Sequence, residues 1–272
     1  MELGLSGRSY LVTGGSRGIG LATARLLLDE GAAVTIAART SSSIEKATAD
    51  LGGHPRAGFV RVDLRQADGG RTAVTAAVDL FGPLDGFVNN AAAFSVHNDH
   101  PDRAAWAELF ELKLLGYESV VQAALPHVRD GGSFVNISGI ASLRYMALSP
   151  HVSAINSAVE ALSRHYAAQL AERRIRVNTV VPGVTATDRY EQRVTRLSQR
   201  DGLDAAEARK TMDSRIPLGR PVDPAEIAAA IVFLLSDRSA STTGATLVVD
   251  GGAIAVPDAA TVPDQTRAGT GS

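Results

Sequence analysis

Short runs of β-branched and apolar residues alternate along the chain with longer segments whose apolar positions recur at helical spacing. The strand candidates are SYLVTGG, AVTIAAR, FVRVDL, LDGFVNN, SFVNIS, RVNTVVPG and TLVVDGG. Helices are predicted between them at about 18–30, 43–51, 67–81, 103–129, 151–172 and 224–236. Strands that are apolar on both faces and separated by helices are typical of a parallel sheet covered on both sides. The pattern therefore predicts a doubly wound α/β fold.

The last of these helices has the clearest start signal. Asp223 is a suitable N-cap, Pro224 suits the first turn, and Glu226 would close a capping box. The predicted helix therefore begins at a well-defined position.

The distribution of polar residues predicts one domain over residues 1–255. The chain of 272 residues is long enough to bury one substantial core, and no break in composition divides it. Residues 185–217 are rich in charges of both signs, which indicates either a solvated helical face or a lid over a site. The tail at 256–272 has Pro, Gly and Thr and few large apolar residues, so we expect it to be weakly ordered.

Composition excludes several classes of function. The formal net charge is -2, so no basic excess would attract nucleic acid or an anionic membrane. The chain has no cysteine, and neither a signal peptide nor a bilayer-spanning run is recognisable, so we expect a soluble cytoplasmic protein. His97 and His100 have a spacing that would suit two metal ligands, but they lie in a predicted loop and we predict no metal site.

The segment YLVTGGSRGIG joins a predicted strand to a predicted helix through a glycine turn. Gly14, Gly18 and Gly20 would allow a tight turn and let the backbone amides and the helix N-terminus approach a pyrophosphate. Because the glycines follow a strand and open a helix, this context predicts a dinucleotide site.

The glycine spacing, with four further motifs, resembles the short-chain dehydrogenase/reductase family over about residues 6–253. The further motifs are DL at 63–64, NNAA at 89–92, PG at 182–183 followed by Thr187, and VDGG at 249–252. The resemblance implies a Rossmann-type sheet of seven parallel strands, a nicotinamide dinucleotide along the carboxyl ends of the strands, and a homotetramer or dimer. The cofactor-binding positions it implies are Gly14, Ser16, Arg17, Gly18, Ile19, Gly20, Arg39, Thr40, Asp63, Leu64, Asn90, Ala91, Ala92, Pro182, Gly183, Val184 and Thr187.

The end of the second strand indicates which dinucleotide would bind. An acidic residue there would hydrogen-bond a free ribose 2′-hydroxyl, whereas this strand ends with Arg39 and Thr40. A guanidinium suits a 2′-phosphate, and Arg17 in the glycine turn would add a second cation. The sequence therefore favours NADP(H) over NAD(H).

The positions that carry the chemistry in the family hold other residues here. The tyrosine that handles the proton falls on Val152, and the lysine four residues later falls on Asn156. The serine that orients the carbonyl falls on Gly139, and the supporting asparagine of the preceding helix falls on Lys113. The chain is thus identified as an atypical member that lacks the usual Ser, Tyr and Lys.

Lysine and asparagine have exchanged positions relative to the family pattern. In the family fold the two side chains face each other, so Lys113 would put its ammonium near the place that Asn156 leaves. The exchange would keep the cation and neutralise a buried polar pocket. The alternative is that both positions have drifted and that Lys113 extends along its helix toward solvent.

No residue is an obvious replacement for the acid. Ser138, Tyr145 and His151 are candidates near the site, with Ser153 and Tyr190 as further ones. Tyr145 precedes the helix that carries the altered signature, and Lys113 would lower the pKa of its phenol. Each of these side chains could instead be part of the pocket wall, and His151 at a helix start would then point to solvent. An activated alkene or an iminium would need no side-chain acid, because water completes the protonation.

Three functions remain open at this point. The first is an NADP(H)-dependent oxidoreductase with a rearranged proton-handling group, acting on a small or medium organic molecule. The second is a non-redox enzyme on the same scaffold, such as a cyclase, isomerase or lyase. The third is a pseudoenzyme subunit that stabilises an active homologue.

Overall fold

A parallel sheet of seven strands lies between two helical layers in the computed structural model, which describes residues 2–92, 101–144 and 150–255. The strands are β1 Ser9–Thr13, β2 Ala33–Ala38, β3 Ala57–Arg61, β4 Leu84–Asn89, β5 Val128–Ile137, β6 Arg176–Pro182 and β7 Thr246–Val249. Their order across the sheet is β3-β2-β1-β4-β5-β6-β7. The predicted α/β fold, a doubly wound Rossmann-type domain, is confirmed.

The helices connect these strands and cover both faces of the sheet. They are α1 Gly18–Asp29, α2 Ser41–Asp50, α3 Gly69–Phe81, α4 Arg103–Leu109, α5 Gly116–Ala124, α6 Pro150–Gln169, α7 Asp188–Asp201, α8 Ala205–Asp213 and α9 Pro224–Leu235. A π-helical turn, Phe110–Leu115, joins α4 to α5. Within the described ranges no helix combines the length and the apolar character that a membrane span requires.

The strand order reverses at β1 and β4, and this reversal positions the site. Val12 of β1 pairs with Ile36 of β2 on one side and with Val88 of β4 on the other. Because all strands run the same way, the loops after β1 and β4 leave the same edge of the sheet, and the chain continues from them in opposite directions. A crevice opens there, as it does at the switch point of other open α/β sheets.

Each face of the sheet has its own apolar core. On one face, α1 and α9 cover the strands, and Leu27 and Ile231 are fully buried there. On the other face α3, α5 and α6 pack, and the rings of Phe87 and Phe134 stack with centroids 4.3 Å apart. The two cores hold the carboxyl ends of the strands in place, which gives the loops of the site a fixed base.

The charged segment at 185–217 forms two helices, α7 and α8, with a small core of their own. Tyr190 and Val194 of α7 are buried against Ala208 of α8. An ion pair between Glu191 and Arg209, with 2.7 Å between the closest oxygen and nitrogen, joins the two helices on the outside. The segment, called the lid below, is therefore a helical pair placed directly after β6, at the edge of the sheet that carries the crevice.

One predicted helix is wrong in its extent. The sequence predicts a single helix over 103–129, but α5 ends at Ala124 and β5 already begins at Val128. The early start of β5 includes an irregular pairing with β4 between Leu84 and Gly86. The strand predicted from SFVNIS is only the regular part of β5. The predicted tail at 256–272 lies outside the described residues.

Candidate functional site

The glycine turn after β1 packs closely against its own backbone and against the loop after β4. Gly14 and Gly18 have φ angles of 62° and 54°, a region that favours glycine. A Cβ on Gly20 would lie 2.5 Å from the carbonyl oxygen of Gly14, so a larger residue would not fit there. Arg17 precedes α1 and makes no side-chain cap. The first turn of α1 is thus suited to an anion.

The NNAA segment after β4 fastens this turn from the other side of the crevice. The Asn90 side-chain amide donates to the carbonyl oxygens of Thr13 (3.1 Å) and Gly14 (3.0 Å). The Thr13 hydroxyl oxygen accepts from the backbone N–H groups of Asn90 (3.0 Å) and Ala91 (3.3 Å). Asn90 therefore stabilises the turn, while Ala91 and Ala92 follow it along the crevice.

The ends of β2 and β3 form the far wall of the crevice. Arg39 and Thr40 are exposed just after β2, and the Thr40 hydroxyl caps α2 by accepting from Ser43 N–H at 3.3 Å. Hydrogen bonds from Arg65 hold the pKa of Asp63 below its usual value, and the nearby Arg39 charge adds to the effect.

Two properties of this wall bear on the predicted cofactor contacts. Leu64 is buried, so its side chain belongs to the core and only its backbone could face a ligand. Arg39 is exposed at the predicted 2′-phosphate position, and within the described ranges it forms no ion pair with a carboxylate. Its guanidinium is therefore available to an anion.

The lid begins against the glycine turn. A Cβ on Gly18 would lie 3.3 Å from Thr187 Cγ2, and one on Gly183 would lie 2.6 Å from Asp250 Cα. The loop after β6 is therefore wedged between the glycine turn and the loop after β7. Four further predicted cofactor contacts are half-buried in this region: Ser16, Ile19, Pro182 and Val184.

Lys113 and Asn156 meet at the centre of the crevice. Lys113 is on the π-helical turn, and its Nζ donates to Asn156 Oδ1 at 2.6 Å and to the Ser138 carbonyl oxygen at 2.9 Å. Both side chains are buried. Burial, helped by the positive charge of Arg189, lowers the pKa of Lys113 to about 7, and the Glu160 carboxylate opposes the shift. The alternative in which Lys113 extends into solvent is wrong.

A buried serine and glutamate support this pair from behind. Ser138 Oγ lies 2.7 Å from Glu160 Oε1 and 3.2 Å from the Asn156 carbonyl oxygen. The Ser138 side chain is thus engaged with α6. Glu160, which the sequence did not single out, supplies the negative charge that favours the protonated form of Lys113.

Gly139 gives the Asn156 amide its space. A Cβ on Gly139 would lie 3.0 Å from Asn156 Nδ2, closer than side chains normally approach. Because Oδ1 accepts from Lys113, the Nδ2 end of the amide faces Gly139. Val152, one turn earlier on α6, is half-buried.

His151 is buried beside α4 rather than exposed at the helix start. Its ring lies 5.9 Å from that of Trp106, and burial lowers its pKa. The alternative that it points to solvent is wrong. The contact with Trp106 makes His151 part of the packing between α4 and α6.

The remaining candidates for the acid differ in their placement. Tyr190 lies in the core of the lid, and its hydroxyl donates to Asp213 at 2.5 Å. Ser153 is half-buried on α6. Tyr145, His97 and His100 lie outside the described residues.

Two residues near the centre of the crevice, Arg189 and Tyr117, are not among the site residues that the sequence predicts. Arg189 of α7 reaches back to donate to the Ala92 carbonyl oxygen at 2.9 Å. Tyr117 of α5 is fully buried and donates to the Ala91 carbonyl oxygen at 3.1 Å. Tyr117 follows Lys113 by four residues, a spacing that would place the two on one face of a helix. Arg189 belongs to the DRY segment at 188–190, which in the sequence indicates either a contact to a substrate from the lid or the start of an exposed helix. The contact of Arg189 with Ala92 depends on how the lid packs.

The chain is similar over nearly its whole length to known enzymes. A family model described as Enoyl-(Acyl carrier protein) reductase matches residues 14–253. The chain is 39% identical over 255 residues to cis-4-hydroxycyclohexanecarboxylate dehydrogenase of Sinomonas cyclohexanicum, covering 92% of this chain and 97% of that protein. It is 35% identical over 257 residues to L-rhamnose 1-dehydrogenase (NAD(P)(+)) of Azotobacter vinelandii, covering 90% and 96%.

The chain belongs to the short-chain dehydrogenase/reductase family. A solved structure of L-sorbose reductase from Gluconobacter frateurii, complexed with NADPH and L-sorbose, superposes with a TM-score of 0.88 at 27% identity, covering 94% of this chain and 100% of the other. At the level of reaction class, this short-chain dehydrogenase/reductase is an oxidoreductase.

Proposed function

We propose that this chain is an NADP(H)-dependent oxidoreductase in which Lys113 takes over the handling of the substrate proton. The observation that carries the proposal is the 2.6 Å contact between Lys113 Nζ and Asn156 Oδ1 at the centre of the crevice. The relatives are named for hydroxy acids and sugars, which supports a small or medium organic substrate with a hydroxyl or carbonyl group.

The residues of the crevice fit a dinucleotide with a 2′-phosphate. The tightly packed glycine turn leads directly into the N-terminus of α1, which suits an anion, and Arg39 offers a guanidinium beyond β2. When bound, the cofactor would supply or accept a hydride at its nicotinamide ring. The positions proposed to hold it are Gly14, Ser16, Arg17, Gly18, Ile19, Gly20, Arg39, Thr40, Asp63, Leu64, Asn90, Ala91, Ala92, Pro182, Gly183, Val184 and Thr187.

The pKa of Lys113 suits a group that donates a proton in one direction of the reaction and accepts one in the other. With a pKa of about 7, the ammonium and the amine are both present at neutral pH. In reduction, the ammonium would give one proton to the carbonyl oxygen as a hydride reaches the carbonyl carbon. The product is an alcohol, and Lys113 is left as the neutral amine. In oxidation the amine takes the hydroxyl proton as the hydride leaves.

Asn156 is proposed to position both Lys113 and the substrate. Its Oδ1 fixes the ammonium, and its Nδ2 faces the space above Gly139, where the serine of the family would stand. An amide N–H in that space would donate to the substrate oxygen. Ser138 and His151 would then act as supports of the pocket, and Tyr145 stays a prediction.

A homo-oligomer, a dimer or a tetramer, is also proposed. Trp106, Phe110 and Leu115 expose 37%, 42% and 50% of their surfaces along one continuous run from α4 to α5. Large apolar side chains grouped in this way are typical of protein interfaces. Light scattering coupled to size-exclusion chromatography measures the mass directly, and a monomer at micromolar concentration would contradict the proposal.

The decisive experiment compares two lysine variants. With NADPH and panels of carbonyl, enone and imine substrates, Lys113→Met is expected to lower kcat by roughly 100-fold to 10,000-fold, the usual contribution of a positioned acid or base. Lys46→Met removes an exposed lysine on α2 and is expected to keep the parent rate.

Three outcomes would contradict the proposal. Equal rates for Lys113→Met and the parent would remove Lys113 from the chemistry. Product formed without any change in the redox state of the cofactor would favour the cyclase, isomerase or lyase alternative. A protein that binds NADPH but turns over only in the presence of a co-purified homologue would favour the pseudoenzyme alternative.

A further inference from the structure

A row of arginines follows one face of the lid helix α7. Arg189, Arg193 and Arg196 are spaced by four and three residues, which places them on one side of a helix. The neighbouring side carries Tyr190 and Val194, which are buried against α8. The apolar side of α7 is thus already covered, and Arg189 and Arg193 lie outside that covered side.

The first of these arginines reaches the centre of the site. The Arg189 guanidinium donates to the carbonyl oxygen of Ala92, next to Ala91, which Tyr117 contacts. The positive charge of Arg189 lowers the pKa of Lys113, and the charge of Arg17 in the glycine turn acts in turn on Arg189. Arg189 therefore lies between the pyrophosphate end and the proton-handling end of the crevice.

Arg189 and Arg193 lack a counterion within the described ranges. Both side chains are half-buried, neither forms an ion pair with a described carboxylate, and Arg193 Nε is buried without a hydrogen-bond partner there. Burial lowers the pKa of both guanidinium groups, and repulsion from neighbouring arginines adds to it. Partly desolvated cations without partners are unfavourable, so an anion that reached them would be held strongly.

We propose that Arg189 and Arg193 bind a carboxylate carried by the substrate, and that this enzyme acts on oxo acids or hydroxy acids. This inference rests on the proposed function, because it places the reacting carbonyl beside Lys113. The forked guanidinium matches the two oxygens of a carboxylate. A phosphate of the cofactor has the same chemistry, but the proposed function assigns that group to the glycine turn, the α1 N-terminus and Arg17.

Matched pairs of acids and amides test the inference. Binding of 4-oxocyclohexanecarboxylate, levulinate and acetoacetate is compared with binding of their carboxamides by calorimetry, with NADP⁺ present so that no ketone is reduced. At least one acid is expected to bind about tenfold more tightly than its amide, because a half-buried guanidinium pairs with a charged group. Arg189→Gln and Arg193→Gln, each checked for folding by circular dichroism, should reduce the ratio of acid affinity to amide affinity to about one.

Arg200→Gln is the matched control, since Arg200 is an exposed arginine of the same helix that pairs with Asp201. This variant should have the same ratio of acid affinity to amide affinity as the parent. Acids and amides that bind equally to the parent, or a ratio that survives both Arg189→Gln and Arg193→Gln, would overturn the inference. Variants that weaken NADPH and leave the ratio unchanged would assign the arginines to the cofactor phosphate and overturn it as well.

Two further measurements separate this inference from the proposed function. NADPH affinity is measured first for every variant, and the pairs are also titrated without NADP⁺. A parent that fails to bind NADPH, yet prefers the acids through Arg189 and Arg193, would contradict the proposed function alone. A parent that reduces neutral ketones with NADPH, and shows no preference for acids, would contradict this inference alone.

Discussion

The buried ammonium of Lys113 depends on two oxygen acceptors and on the absence of a side chain at position 139. Asn156 Oδ1 and the Ser138 carbonyl oxygen accept from it, while Gly139 leaves space for the rest of the Asn156 amide. The contact between Lys113 and Asn156 therefore depends on a third position, Gly139. With a serine at position 139, the added side chain would push the Asn156 amide against Lys113.

The pH dependence of the rate follows from the lowered pKa of Lys113. In the proposed mechanism, reduction needs the ammonium of Lys113, whose fraction falls as the pH rises through about 7. We expect kcat/KM for reduction to be constant at lower pH and to fall about tenfold per pH unit above it. Oxidation needs the amine, so its rate should rise with pH through the same value. A reduction rate that stays constant well above neutral pH would contradict the role of Lys113.

Gly139→Ala tests the space beside Asn156. The added Cβ would lie 3.0 Å from Nδ2, so the amide must shift by a few tenths of an ångström against Lys113. We expect kcat to fall about tenfold with little change in stability, because a small misplacement weakens catalysis more than folding. In the Asn156→Ala background the same change should have no further effect, and full additivity of the two effects would contradict the coupling.

At the scale of elements, the sequence was sufficient to predict a helix cap and the apolar strands, but not the irregular turns. The predicted N-cap Asp223, with Pro224 and Glu226, is confirmed as a capping box at the start of α9. The strands were predicted to within a few residues, except for the start of β5, because each has a short apolar run, and in central strands such as β1 this run is buried on both faces. The π-helical turn was not predicted, since its extra residue leaves no mark in the spacing of apolar residues. The start of β5 was missed because Gly131 and Gly132 interrupt its apolar run.

The cap of α9 should contribute measurably to stability, because this helix forms one layer of the core. Asp223 accepts from Ala225 N–H at 2.8 Å. Asp223→Ala is expected to lower the free energy of unfolding by about 1 kcal/mol, measured by urea denaturation. Asp204→Ala removes the equivalent cap of α8, which packs in the lid, and should have a smaller effect. A larger loss of stability for Asp204→Ala than for Asp223→Ala would contradict the greater contribution of α9 to the core.

At the scale of the whole molecule, the local motifs beside the crevice could be recognised in the sequence, whereas the contacts that α5 and α7 make there could not. The glycine turn and NNAA are local motifs whose contact follows from the strand order. Arg189 and Tyr117 enter the site through the packing of α7 and α5, which depends on contacts between residues far apart in the chain. Tyr145 cannot be compared, because it lies outside the described residues.

Cofactor preference should appear as a difference in thermal stability. A ligand at about 100 times its Kd stabilises the folded protein by about 2.7 kcal/mol. NADPH is expected to raise the Tm more than NADH at equal concentration, because Arg39 would pair with the 2′-phosphate. Arg39→Asp should reverse the order, while Arg71→Asp, an exposed position on α3, should preserve it. An equal shift for both cofactors in the parent would contradict NADP(H) preference.

The π-helical turn at Phe110–Leu115 makes the site sensitive to chain length as well as to residue type. Such a turn holds one residue more than an α-helical turn. A deletion of one residue there would let the turn close with regular α-helical spacing, so α4 and α5 would keep their orientation while the residues inside the turn would change position. Lys113 would then leave Asn156 without any substitution having occurred. Among sequences of similar composition, a one-residue gap at this point would thus separate chains that hold the cation in the crevice from chains that do not.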